Sequence, residues 1–318
     1  MILAYSPGAS GLDRLAEGAP LEGALWIDLD CPSDAEVAQM AALGVTVPTL
    51  EDMQEIEVSS RLYRDGGSDV MTVVLPGLST ARAPVEGPVT FLLTAERLVT
   101  VRHHAPHPFE TFPARAGGGV AGCTTPERIF IGLVDENISR LADLLEAAGT
   151  ALTGVTAGVF GGSATTPAAL QGTLQQVGLQ GELLGRVRLS LLTLERALSF
   201  YAQGQEATAP AEELTGVIAG ALRDIEALAV HADFLSSRVA LAVDATLGMI
   251  NLAQNATVRV LSVVAALFLP PTLIASIYGM NFKVMPELSQ SWGYPFALIL
   301  MLGSVLVAYL FFRWKKWL

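Results

Sequence analysis

The sequence predicts an α+β protein with a mixed α/β domain at the N-terminus, a long stalk helix, and two membrane-spanning helices at the C-terminus. Two uncharged segments carry the prediction of the membrane part. Residues 260–282 hold 23 positions without a charge, and residues 288–312 hold 25. A helix needs roughly 20 mostly apolar residues to cross a bilayer. We therefore predict membrane helices at about 258–278 and 294–313.

The first 105 residues have the pattern of a mixed α/β domain. Apolar or β-branched runs bounded by Gly, Pro or Asp predict strands, and these runs lie at 2–5, 24–28, 70–75, 89–94 and 98–102. Ser33 followed three positions later by Glu36 is a capping box, which predicts a short helix from Ser33 to Leu43.

From Pro126 onward the apolar spacing becomes helical. One helix is predicted to start at Pro126, and a second to span about 168–202. The Gly/Thr-rich stretch 149–166 predicts an interruption between them, and 204–210 predicts a break after the second. A third helix is predicted over about 211–278. These features divide the chain into a mixed α/β domain at 1–125, long helices including the stalk at 126–257 and a two-helix transmembrane domain at 258–318.

The third helix would be about 100 Å long if straight. A helix of that length needs partners along it, because isolated helices gain most of their stability from packing. This favours parallel association of several copies of the chain.

Charge and motif content narrow the function classes. From Arg259 to the C-terminus the chain has five basic residues and one acidic residue, a net charge of +4. Because the net charge of the whole chain is −12, the first 258 residues have a net charge of −16. An acidic body without a basic stripe argues against nucleic-acid binding. Its acidity is explained either by solubility or by attraction of cations. No nucleophile-elbow or phosphate-binding motif is present, so we predict neither an enzyme nor an organic cofactor.

Three histidines lie close together after the last predicted strand. His103, His104 and His107 could ligate zinc or nickel. No carboxylate or thiol is spaced to complete such a site, and Pro106 and Pro108 predict a loop. We favour a structural or solvent-exposed role for them.

The first membrane helix has one face that is small or polar. Steps of three, four and seven residues connect a stripe that begins in the stalk at Asp244 and Asn251. Its continuation, which we call the uncharged stripe, consists of Asn255, Val258, Ser262, Ala265, Leu269, Thr272 and Ser276, with Leu261 close by. Small residues allow close helix packing, but the same pattern suits a pore wall. No titratable residue lies between Arg259 and Lys283, which favours a pore over a proton-coupled carrier.

The C-terminal third resembles the CorA family of divalent-cation channels. Four blocks carry the resemblance in order: Tyr278-Gly279-Met280-Asn281, Met285-Pro286-Glu287-Leu288, Trp292-Gly293-Tyr294-Pro295 and the basic end Lys316-Trp317-Leu318. Further upstream, Trp26-Ile27-Asp28-Leu29, Thr49-Leu50-Glu51-Asp52 and Ser59-Ser60-Arg61 look like the family's cytosolic domain.

The resemblance implies a funnel-shaped homopentamer with the stalk helix innermost. It also implies uptake of hydrated Mg²⁺, with Co²⁺ and Ni²⁺ admitted, and closure when intracellular Mg²⁺ is high. Gly279, Met280 and Asn281 would form the selectivity filter, and Asn281 would bind the ion's water shell. Val258, Leu261 and Leu269 would close the pore. Three acids are candidates for cytosolic Mg²⁺ sites: Asp244, which lies where the stripe begins in the stalk, Asp224 and Glu226.

The basic residues also predict an orientation. Arg259, Arg313, Lys315 and Lys316 lie at one membrane face, and the loop between the helices carries one Lys and one Glu. The positive-inside rule then places both termini in the cytosol of a chain in the inner (plasma) membrane. Two alternatives remain open, a zinc transporter of the related branch and a membrane-anchored scaffold that does not conduct.

Overall fold

The computed structural model describes residues 1–8, 11–161, 166–205, 212–280, 285–286, 290–315 and 317. Within these the chain forms two compact units. The first unit consists of Met1–Ala157 and Gln175–Ala242. The second consists of Gly158–Leu174 and Val243–Leu318.

The first unit is built on a seven-stranded mixed sheet. Its strands lie in the order β2-β1-β3-β7-β6-β5-β4. The pair β3–β7 is parallel and every other neighbouring pair is antiparallel. The strands are β1 Ile2–Pro7, β2 Leu12–Arg14, β3 Trp26–Asp30, β4 Leu62–Asp65, β5 Ser68–Leu78, β6 Pro84–Leu93 and β7 Leu98–Arg102.

The five predicted strands are confirmed as elements, and two were missed. The missed strands β2 and β4 are three and four residues long and form the two edges of the sheet. Runs this short give little alternation to detect. Strands β5 and β6 are longer than predicted, because their antiparallel register continues through Pro76, Gly77, Gly87 and Pro88.

The chain forms eight helices within the described residues. The capping box at Ser33 and Glu36 is confirmed at the start of α1. The helix α4 occupies the segment that was predicted as a loop after the histidines. The helices are α1 Asp34–Ala42, α2 Leu50–Gln54, α3 Val58–Arg61, α4 His107–Arg115, α5 Pro126–Phe160, α6 Pro167–Gln205, α7 Glu212–Tyr278 and α8 Gly293–Trp314.

The predicted interruption at 149–166 is wrong over its first part, because α5 continues to Phe160. Gly149 lies against α7, where an added Cβ would be 3.5 Å from Leu235, so this glycine allows a close helix contact. The hydroxyl groups of Thr153 and Thr156 donate to carbonyl groups one turn back, at distances of 2.8 and 2.6 Å. The residues that favour a break in the sequence are thus used inside the helix.

The first unit has an apolar core on each face of its sheet. On one face, aromatic contacts connect β6 to α5 and α6: the ring centroids of Phe91 and Phe130 lie 5.3 Å apart, and those of Phe130 and Tyr201 5.4 Å apart. On the other face, Met40 of α1 and Met53 of α2 pack with Ile27 and other strand residues. The sheet is therefore fully covered, as the near-continuous burial of β3 and β7 requires.

The second unit contains both helices that are long and apolar enough to cross a membrane, α8 and the C-terminal part of α7. Their most apolar windows have mean hydropathies of 2.2 and 2.3 for α7 and α8. The predicted third helix is confirmed, and α7 runs through Pro270 and Pro271 without interruption.

Candidate functional site

One side of the C-terminal part of α7 packs against α8. Val263 is only 4% exposed on this side, and Ala266, Pro270 and Ile274 are half-buried and line the groove between the two helices. Their spacing of three and four residues defines one face of the helix. We call it the α8-facing side.

The uncharged stripe lies on a different side of α7. At about 100° per residue, its centre is roughly 120° around the helix from the α8-facing side. Every member is exposed in the single chain, and Val258 and Leu269 are 61% and 71% exposed. Leu261, predicted to lie close by, is 69% exposed. The helix therefore keeps these side chains on a face that α8 does not cover.

The hydroxyl groups on the stripe are used in a specific way. Ser262 Oγ donates to the carbonyl oxygen of Val258 at 2.8 Å, and Thr272 Oγ1 donates to that of Phe268 at 2.7 Å. Since each hydroxyl hydrogen is taken up within the helix, the oxygen that faces outward can act only as an acceptor. Such a surface suits a species that presents hydrogen-bond donors.

The predicted filter begins where α7 ends. The Gly279 amide still donates to the carbonyl of Ala275 at 2.9 Å, and an added Cβ at Gly279 would lie 3.1 Å from that oxygen. Glycine thus lets the last turn close tightly before Met280, which is exposed. Asn281, the residue expected to contact the ion, lies outside the described residues.

The three acids predicted as cytosolic metal sites are all exposed. Asp244 lies in the second unit, and Asp224 and Glu226 lie in the first. The structure places Asp224 near Asp135 of α5, a residue that the sequence reasoning missed. Burial first, and then the negative charges of Asp224 and Glu136, raise the pKa of Asp135. Two carboxylates therefore repel each other across the contact between α5 and α7.

The predicted histidine cluster does not converge. His104 is buried, with its Nε2 2.9 Å from the carbonyl oxygen of Leu75, whereas His107 is exposed at the start of α4. Across the described parts of the chain, no group of three or more His, Cys, Asp or Glu side chains is placed to hold a metal ion. Buried His104 and exposed His107 thus lie in different environments.

Comparison with known proteins extends over the whole chain. The family model described as CorA-like Mg²⁺ transporter protein matches residues 22–316. Two proteins named magnesium transport protein CorA, from Escherichia coli strain K12 and Yersinia pseudotuberculosis, are each 32% identical over 322 aligned residues that cover 100% of both chains. The solved CorA magnesium transporter of Methanocaldococcus jannaschii covers 100% of this chain and 99% of its own, with a TM-score of 0.76 at 17% identity. The extent of the family match, together with identity above 30% over the whole aligned length, shows that this protein belongs to the CorA-like Mg²⁺ transporter family.

Proposed function

We propose that this protein is a homopentameric channel through which hydrated Mg²⁺, and also Co²⁺ and Ni²⁺, enters the cell. The observation that carries the proposal is the uncharged stripe, which is exposed on the side of α7 that α8 leaves free and extends toward Gly279 and Met280. Asn281 is the next residue in the sequence. In a closed ring of copies this face would line the axis of the proposed pore domain, residues 258–318. The full-length relatives named for magnesium transport support this assignment.

The stripe suits a cation that keeps its water shell. Mg²⁺ dehydrates reluctantly and demands octahedral geometry. Its bound waters point their hydrogens outward, so they need acceptors on the wall. The hydroxyl oxygens of Ser262 and Thr272 are limited to accepting, and the carboxamide oxygen of Asn281 would accept in the same way. Selection would then act on the hydrated ion.

Closure would depend on apolar residues of the same face. Val258 and Leu269 are the bulky apolar members of the stripe, with Leu261 beside it. Rings of such side chains can stop conduction by expelling water from a narrow pore. The constrictions would lie on the cytosolic side of Asn281.

We propose that cytosolic Mg²⁺ holds the closed state. Burial first, and then the charges of Asp224 and Glu136, raise the pKa of Asp135. A divalent cation between Asp135 and Asp224 would offset the part that comes from the charge of Asp224, and Asp244 would attract a cation below the membrane. Glu226 stays a candidate from the sequence alone. The metal acts here as transported ion and as regulator.

The driving force would come from the membrane potential. With both termini in the cytosol and the chain in the inner membrane, entry of a divalent ion into the cell would lower its electrostatic free energy by about 4.6 kcal/mol per 100 mV of inside-negative potential. This is twice the value for a single charge. This makes a nucleotide-driven step unnecessary for uptake.

Measurements of ion flux distinguish the proposed channel from a zinc transporter and from a scaffold that does not conduct. We would prepare proteoliposomes of the full chain and follow entry of Mg²⁺, Co²⁺, Ni²⁺ and Zn²⁺ with an inside-negative potential or with a pH gradient. We expect Mg²⁺ entry that follows the potential and ignores the pH gradient. Preferred Zn²⁺ entry coupled to the pH gradient would establish the zinc transporter instead. Absence of flux for every ion by a correctly assembled protein would establish the scaffold.

A further inference from the structure

An apolar groove of about 900 Å³ runs between α7 and α8. On α8 it extends from Phe296 to Phe312, about 24 Å along the helix. Small residues keep it open, chiefly Ala266 on α7 and Gly303 and Ala308 on α8. At Gly303 an added Cβ would meet no atom within 4 Å, so the space in front of this glycine is empty.

Two basic residues lie at one end of the groove. Arg259 continues the α8-facing side of α7, at the same spacing of three and four residues as Val263, Ala266 and Pro270. On α8, Lys315 follows the groove residue Phe311 by four residues, and its amide donates to the Phe311 carbonyl at 3.0 Å. Because this is a helical hydrogen bond, Lys315 lies on the same side of the helix as Phe311. Both side chains are exposed.

Neither basic side chain forms an ion pair with a carboxylate in the part of the chain that the structure describes. The ammonium group of Lys315 lies 5.3 Å from the ring centroid of Trp314, an aromatic residue of the type enriched at membrane interfaces. The end of the groove thus presents two positive charges that no described acidic side chain neutralises.

We propose that this groove binds an anionic phospholipid of the cytoplasmic leaflet, with one acyl chain between α7 and α8 and the phosphate held by Arg259 and Lys315. Basic sites between membrane helices on the cytoplasmic side recognise anionic headgroups. One leaflet of the hydrocarbon core is about 15 Å thick, so the groove is long enough for a chain that enters from its basic end. This lipid site is independent of which ion the protein carries.

The chain offers a matched control for each half of the site. Arg313 lies two residues before Lys315 but, at about 100° per residue, on the opposite side of α8 from the groove. Leu302 is next to Gly303 and is 71% exposed outside the groove. If the groove is the binding site, substitution of Lys315 or Gly303 should therefore weaken lipid binding more than substitution of its control, Arg313 or Leu302.

The test is native mass spectrometry of the full-length protein in detergent, titrated with palmitoyl-oleoyl phosphatidylglycerol or with the matching phosphatidylcholine. We expect the wild type to prefer phosphatidylglycerol. The double variant Arg259→Gln, Lys315→Gln should bind phosphatidylglycerol about thirtyfold more weakly, at about 1 kcal/mol per basic residue, whereas Arg313→Gln should bind it nearly as the wild type does. Gly303→Leu should weaken both lipids by filling the groove, and Leu302→Phe should leave binding unchanged.

Three results would overturn the lipid site. The wild type could bind phosphatidylglycerol and phosphatidylcholine equally, a result that does not depend on whether any variant folds. The double variant could lose no more affinity than Arg313→Gln. Gly303→Leu could retain phosphatidylglycerol and instead change the mass of the assembly, which would show that a second copy of the chain fills the groove.

Discussion

Asp28 and Arg102 form a buried ion pair within the sheet of the first unit. Arg102 Nη2 lies 2.9 Å from Asp28 Oδ2, and the two residues are 5% and 1% exposed. Thr100 Oγ1 also donates to Asp28, at 2.7 Å. Asp28 belongs to a block that carries the family resemblance, and its carboxylate fixes the parallel pairing of β3 and β7 from within.

Asp28→Ala should lower the free energy of unfolding by roughly 3 kcal/mol, at the low end of the usual cost of breaking a buried ion pair. Arg102 would lose its buried partner and keep only the partly exposed carboxylate of Asp30, 3.3 Å away. Adding Arg102→Leu should recover part of the loss. The measurement is thermal unfolding of the detergent-solubilised chain. Asp69→Ala is the control, since it removes a partly exposed pair with Arg64, whose side chain is 51% exposed, and such a pair near the surface is worth about 1 kcal/mol. Equal, small effects for both variants would contradict the importance of the buried pair.

Asp135 gives a prediction about pH and Mg²⁺. Because its pKa is raised in the folded state, its ionised form destabilises the fold as pH rises above the ordinary value near 4, and the penalty is absent at lower pH. Asp135→Asn should therefore raise the thermal midpoint at pH 7, and the gain should vanish toward pH 4.

Millimolar Mg²⁺ should stabilise the wild type more than Asp135→Asn. Asp143→Asn, an exposed acid on the same helix, should respond to Mg²⁺ as the wild type does. An identical response of all three proteins would remove Asp135 from the proposed regulatory site.

Two sides of the single helix α7 have different tasks in this account. The α8-facing side packs against α8, and the uncharged stripe is the side that we propose lines the pore. Leu269→Ala should raise Mg²⁺ flux several-fold when internal Mg²⁺ is high, because a smaller side chain widens an apolar constriction. Val260→Ala is the control, since Val260 is 64% exposed on the side of α7 opposite to the stripe. Unchanged flux for Leu269→Ala, measured in proteoliposomes with trapped Mg²⁺, would exclude it as a gate.

The elements differ in how far their sequences predict them. The C-terminal end of α7 agrees with the predicted end at 278. The helix is continuous from Glu212, where the described residues resume, because its sequence contains no strong break before Pro270. The helix α4 was not predicted, because Pro106 and Pro108 at its start are residues typical of loops, although proline is also tolerated in the first turn of a helix. The continuation of α5 was missed because Gly149 is needed for a contact with Leu235, which is distant in the sequence.

The candidate site was also predictable only in part, because some of its contacts join residues that are distant in the sequence. The uncharged stripe follows from local helical spacing, so its residues could be named from the sequence. The proximity of Asp135 to Asp224 depends on how α5 and α7 pack, which no local pattern specifies. Their contact appears only once the helices are placed.

At the scale of the whole molecule, the distribution of charge fits a cation pathway. The first 258 residues carry −16, while the remaining residues carry +4. An acidic body raises the local concentration of cations, and the positive-inside rule predicts that the basic residues near the membrane lie on the cytosolic side. In the proposed channel, inward movement of Mg²⁺ would follow the membrane potential without another source of energy.

The most direct test of a pore selective for hydrated Mg²⁺ is flux into proteoliposomes under an inside-negative potential, with wild type and Asn281→Ala compared at equal incorporation. Leu302→Phe, on the outer side of α8, serves as a folding control. We predict potential-driven Mg²⁺ entry that Asn281→Ala reduces at least tenfold, about 1.4 kcal/mol, and that Leu302→Phe preserves. Mg²⁺ entry that persists unchanged in Asn281→Ala would contradict the account.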